Sequence, residues 1–157
     1  MKIKLLAVGK TDKSALQQLT NTYCKRLNHY TNFTVEMLPD IKNSKKLSEA
    51  EQKKKEGEQL LSKLSASDYL VLLDENGMEF TSMQFSEQLQ KWMNSSIKNL
   101  VFIIGGPYGF DKEVYKRAQQ KLALSKMTFS HQMIRLFFTE QLYRGFSILK
   151  NEPYHHQ

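Results

Sequence analysis

The chain has 157 residues, 40% hydrophobic and 25% charged, which fits one soluble globular domain with a core of its own. No segment approaches the ~20 consecutive apolar residues of a membrane helix, and the apolar stretch at Ile3–Val8 is too short for a signal sequence. A single cysteine, Cys24, excludes an intrachain disulfide and agrees with a reducing cytoplasm, while the net charge of +7 points to a polyanionic partner. Many basic proteins bind no nucleic acid, so charge alone leaves that partner open.

Residues 3–8 read as a first strand. A helix is expected over 12–28, with Leu16, Leu19, Tyr23 and Leu27 forming its apolar stripe. Residues 31–38 alternate as a second strand that stops before Pro39, and a lysine-rich connection follows. Ser48-Glu49-Ala50-Glu51 has capping-box spacing and should open a second helix towards Leu64. The lysines around it, from Lys42 to Lys55, are interrupted by glutamates and read equally as a solvated helix face. The apolar runs 69–73 and 100–104 have the character of strands covered on both faces, with a crossover helix at 82–93 between them. Asp111 can cap a short helix through Gln119, and residues 122–125 can form a fifth strand. Ser130 can cap a final helix from His131 to about Lys150, and Pro153 bars any continuation. The alternation predicts an α/β domain over residues 1–157, with a mostly parallel sheet of five to six strands and helices on both faces.

Gly9-Lys10-Thr11 resembles the end of a phosphate-binding loop, but position 4 holds lysine where that motif needs glycine. The stronger loop is Gly105-Gly106-Pro107-Tyr108-Gly109, directly after the most apolar strand, where an open α/β sheet binds its ligand. A tight turn before a helix explains the same residues. Asp74-Glu75-Asn76-Gly77 should end the neighbouring strand as a second turn. His131 and Arg135 are four apart near a helix N-terminus, which attracts anions. Alternatively, His131 only caps the helix and Arg135 is a surface charge. Glu140 and Arg144 have the spacing of an intrahelical ion pair. No zinc-ligand spacing accompanies His155 and His156, so no metal site is expected, and Cys24 reads as packing rather than nucleophile.

These segments together resemble the RlmH family, the bacterial 23S rRNA (pseudouridine-1915) N3-methyltransferases of the trefoil-knotted SPOUT class. The resemblance covers nearly the whole chain: residues 5–10, Lys55-Glu56-Gly57-Glu58, Leu73-Asp74 with Gly77, and 104–109. Its most specific parts are 124–131, 140–144 and Pro153-Tyr154-His155. Glu75-Asn76 and Ser130 fall at positions where members vary. The resemblance implies a C-terminal trefoil knot, which chain physics alone would not suggest. It implies S-adenosyl-L-methionine against the backbone of Leu73, Gly105 and Gly106, and along Leu124, Ser125, Lys126, Met127, Thr128 and Phe129. It further implies a cytoplasmic homodimer, with the tail of one subunit completing the site of the other, acting on 23S rRNA in the assembled 70S ribosome. Within that frame His155 and then His131 are candidates for the proton acceptor. Tyr154 suits contact with the target base, and Arg135 and Arg144 suit phosphate or a developing anion. Two other readings stay open: an RNA-binding module without turnover, and a related enzyme acting at another RNA position.

Overall fold

The computed structural model describes residues 1–10 and 14–155. The expected helix start at Asp12, together with Thr11 and His156, lies outside them. Along the described chain run β1 (Lys2–Val8), α1 (Ser14–Leu27), β2 (Asn32–Leu38), a 3-10 turn (Ser44–Lys46) and α2 (Glu49–Leu61). Then come β3 (Tyr69–Glu79), α3 (Ser82–Asn94), β4 (Asn99–Ile104), α4 (Lys112–Arg117), β5 (Gln120–Ala123) and α5 (Met133–Leu149). The five strands form one sheet in the order β2-β1-β4-β3-β5, and all its pairs are parallel.

Side chains alternate between the faces of a strand, and the core divides accordingly. Ile3, Leu5 and Ala7 of β1, with Leu100, Phe102 and Ile104 of β4, face a layer that includes α1, α3 and α5. Leu6, Val8, Val101 and Ile103 face α2 and α4. Both faces are covered, which explains why these strands read as unbroken apolar runs.

Local chemistry sets the helix ends. Ser48 and Glu51 form the expected capping box, and Thr81 with Gln84 forms a second. Asp111 caps α4 by accepting from the Glu113 N–H at 3.0 Å. Ser130 Oγ accepts from the Met133 N–H at 3.2 Å and its carbonyl from Ile134, so it starts the final helical turn as expected. His131 and Gln132 lie in that turn, and α5 proper begins at Met133. At the other end Asn151 adopts φ 54°, and Glu152 N–H reaches back to the Ser147 carbonyl, closing the helix ahead of Pro153.

Three expectations change. β3 does not stop at Leu73: it runs to Glu79 through a bulge, because both Leu73 and Met78 pair with Leu122 of β5. Asp74 to Gly77 is therefore an arch held by a neighbouring strand rather than a free turn. The α1 stripe is also rotated. Leu19 is 51% exposed, while Thr20 and Leu27 are buried. Within the α5 stripe Phe137 is 38% exposed and packs on Phe129, whereas Phe138, Leu142 and Phe146 enter the core.

Candidate active site

The carboxyl ends of β3, β4 and β5 open into a cavity of about 760 Å³. These three strands are neighbours in the sheet and run parallel, so the loops that leave them emerge side by side at the same end. The β3 arch supplies Leu73, Asp74, Glu75 and Asn76; the β4 loop supplies Ile104 to Phe110; the stretch after β5 supplies Leu124, Ser125 and Met127 to His131. Of the residues expected at the methyl donor, Leu73, Gly105, Gly106, Leu124, Ser125, Met127, Thr128 and Phe129 all line this cavity. Lys126 is exposed and is not on its wall.

The three loops brace one another. Thr128 Oγ1 donates to Glu75 Oε2 at 3.0 Å, and the Met127 N–H donates to Ser125 Oγ at 2.9 Å. In the β4 loop the Gly109 N–H returns to the Gly106 carbonyl at 3.2 Å, making a tight turn over Pro107-Tyr108. The turn expected here as one alternative is thus present, and the same residues line the cavity. Tyr115 of α4 donates to Asp74 across the cavity rim. Burial, then the bond to Asp74, raises the Tyr115 phenol well above its ordinary value, so it stays a neutral donor.

The tail residues lie elsewhere. Tyr154 Oη donates to Glu140 Oε1 at 2.9 Å and meets Tyr23 Oη at 3.1 Å. Arg144 Nη2 bonds the same Glu140 oxygen at 2.6 Å, and its guanidinium sits over the Tyr154 ring at 4.7 Å. Arg144 Nη1 also lies 3.4 Å from His155 Nδ1; a guanidinium only donates, so that nitrogen accepts. Burial, then Tyr23 and Glu140, raises the Tyr154 phenol. The structure therefore joins Tyr154, His155 and Arg144 on α5, and sets His131 apart on the cavity wall.

Arg135 belongs to neither group. It is 1% exposed and donates to the Val8 carbonyl at 2.7 Å, tying α5 to the end of β1. It does not share a surface with His131, because His131 precedes the helix and is exposed. Burial pushes the Cys24 thiol up to about 11, so it is protonated at neutral pH and a poor nucleophile. Among the described residues no three His, Cys, Asp or Glu side chains gather as a metal site.

Sequence reasoning missed Tyr115, Lys53 and Ile134 on the wall, and the buried Glu56 behind Gly106. The signal for Glu56 was a charged residue one helical turn before the apolar Leu60, beside a glycine. The cavity itself fits a nucleoside-bearing methyl donor. Its size lies within the ~300–1,000 Å³ that cofactor-sized ligands occupy. Leu73, Ile104, Leu122, Leu124 and Ile134 offer apolar contact for a base, and Asp74 and Glu75 offer carboxylates for hydroxyl or ammonium groups.

Comparison with known proteins agrees with this geometry. Residues 1–155 match the family model described as predicted SPOUT methyltransferase. The chain is 66% identical to Ribosomal RNA large subunit methyltransferase H of Flavobacterium johnsoniae. It is 64% identical to the protein of that name from Flavobacterium psychrophilum and 62% to that from Christiangramia forsetii. Each match spans 100% of both chains. The chain belongs to the SPOUT methyltransferase family, and its five-stranded parallel sheet is the scaffold of that family's trefoil-knotted fold.

Proposed function

We propose that this protein is a cytoplasmic S-adenosyl-L-methionine-dependent methyltransferase of 23S rRNA. Its target is N3 of pseudouridine 1915 in helix 69, and its substrate is the assembled ribosome. The observation that carries the reading is the single cavity built from Leu73, the Gly105–Gly106 loop and the stretch from Leu124 to Phe129. The names of its relatives, and identities up to 66% over the full length, support large-subunit rRNA as the substrate.

The bound donor supplies a methyl group on a sulfonium centre. The chain's own residues have two tasks, orientation and proton removal. The backbone of the three loops, braced by the Thr128–Glu75 bond, presents a preformed wall. For N3 of pseudouridine to form a new bond, its imide proton must leave. Histidine suits this near neutral pH, and His155 is the first candidate for the acceptor, with His131 on the wall the second. In this reading Tyr154 stacks on or bonds the base, and Arg144 holds phosphate or the developing anion. Arg135 acts from inside the fold, fixing α5 against β1.

Along α5, Ile134 on the cavity wall and Arg144 are about 15 Å apart, from a rise of about 1.5 Å per residue. The tail is thus remote from its own cavity, which supports a homodimer in which each tail serves the other subunit. Exposed Leu19 on α1 and Phe137 on α5 are apolar surface available for such pairing. Exposed Lys54 and Lys55, with Lys53 on the wall, give the cavity a basic flank suited to RNA.

The test is to map methylated nucleotides in ribosomes from cells with and without this protein. One methyl group lost at N3 of pseudouridine 1915, and restored by the purified protein acting on ribosomes, is the expected result. An unchanged position 1915, or a loss elsewhere in the RNA, would refute the assignment.

A further inference from the structure

Glu56 is 3% exposed and lies on the face of α2 that meets the sheet. Its Oε1 accepts from Gln52 Nε2 at 2.8 Å, but its Oε2 is buried and has no partner. A half-satisfied buried carboxyl carries the desolvation penalty without the compensating bond, and an apolar side chain would fill the space at less cost. A Cβ added to Gly106 would come within 2.2 Å of that oxygen. The carboxyl therefore stands directly against the main chain of a residue that lines the cavity.

The surrounding charges narrow what the oxygen is for. Burial raises the Glu56 carboxyl above its ordinary value; the Gln52 bond lowers it, Asp40 raises it again, and His131 lowers it. Asp40 lies beside Gly9, and Asp111 packs against Gly57, the next residue of α2. Both are carboxyl side chains, which bring no N–H to the Glu56 oxygen. His131 lines the same cavity as Gly106, acts electrostatically on Glu56, and brings a ring N–H.

We propose that Glu56 is a positioning residue for His131, its unused Oε2 being the acceptor that fixes the imidazole on the cavity wall. The inference rests on the proton-handling role given to His131 above. As the N3–H bond of the base breaks, one ring nitrogen takes the proton. The imidazolium then donates its other N–H to the Glu56 carboxylate, as an acid behind a histidine does in other proton-transfer sites. Such bonds often tighten only when substrate is in place.

The full-length protein labelled with ¹⁵N-histidine gives the test. Glu56→Gln keeps the shape and removes the charge, and His131→Asn assigns the ring signals. The expected result is that Glu56→Gln moves the His131 ring nitrogens and leaves those of His29 in place. On ribosomes it lowers kcat about ten-fold, with the donor KM changed less than two-fold. In a His131→Asn background it has no further effect. A melting temperature close to that of the unmodified protein shows that the fold is intact.

Unmoved His131 signals overturn the proposal. So does a loss confined to donor KM, which would assign Oε2 to the donor's ammonium group instead. Equal losses with and without His131 also overturn it. If the ring signals move but His131→Asn retains full turnover, the Glu56–His131 contact is upheld, and the proton role of His131 falls.

Discussion

Glu140 Oε1 accepts from Arg144 Nη2 at 2.6 Å and from Tyr154 Oη at 2.9 Å, so one carboxylate oxygen ties α5 to the C-terminal tail. The i,i+4 spacing of Glu140 and Arg144 promises only a helix-surface pair of about 0.3–0.5 kcal/mol. Here the Glu140 side chain is 17% exposed and the Arg144 side chain 25%, and a tyrosine joins the pair. Charge-assisted bonds in such a setting contribute more, about 1.5–3 kcal/mol. Tyr143 packs edge-on against Tyr154 at 4.7 Å, and Tyr30 donates to Glu152, so the tail also has apolar and polar holds of its own. Glu140→Gln retains an acceptor but removes the charge. Its expected cost is about 1–2 kcal/mol, a fall in Tm of about 2–4 °C per kcal/mol. Amide exchange at Tyr154 and His155 should accelerate while that of the β4 strand does not. Unchanged exchange in the tail would mean that the aromatic contacts alone hold it.

At the scale of elements, the β3 arch decides where the cavity wall stands. Gly77 lies so close to β5 that an added Cβ would be 2.6 Å from the backbone N and C of Leu122. Backbone atoms cannot swing aside as a side-chain tip can, so Gly77→Ala must push β3 and β5 apart. The expected cost is about 2–4 kcal/mol in urea denaturation, with weaker donor binding as Asp74 to Asn76 shift. Destabilisation below 1 kcal/mol would show that the arch yields easily. The same arch shows where sequence reading runs out. Asp-Glu-Asn-Gly carries every local mark of a turn, and only pairing with β5, 44 or more residues later, makes it part of a strand. Patterns that depend on the chain's immediate neighbours were legible: the two-sided strands, the Ser48 box, the Asp111 cap and the glycine pair at the end of β4. Features set by how a helix is rotated onto the sheet were not. Phe138 and Leu142 turn α5 so that Arg135 points inward, and nothing in the i,i+4 spacing to His131 reveals this. Glu56 was hidden for the same reason, since a glutamate among lysines on α2 reads as a solvated face.

For the whole molecule, the decisive fact is that residues suited to the reaction form two groups on one subunit. His131 is on the cavity wall, while Tyr154 and His155 dock on α5 and α1 through Glu140, Arg144 and Tyr23. If each tail serves the partner's cavity, a competent site draws His131 from one chain and His155 from the other. Two individually disabled proteins should then repair each other. His131→Asn and His155→Ala proteins, unfolded together and refolded as a mixture, form about half hybrid dimers by random pairing in a twofold assembly. In each hybrid, the cavity of the His155→Ala chain meets the intact tail of the other chain. One of its two sites is whole and the other carries both lesions. The mixture should recover about a quarter of the unmodified methyl-transfer rate on ribosomes, while each variant alone loses about 100-fold or more. If every tail serves its own cavity, both sites of a hybrid stay defective and mixing restores nothing. A mixture no more active than the average of its two parents would therefore overturn the shared-site dimer, even if each histidine alone proved essential.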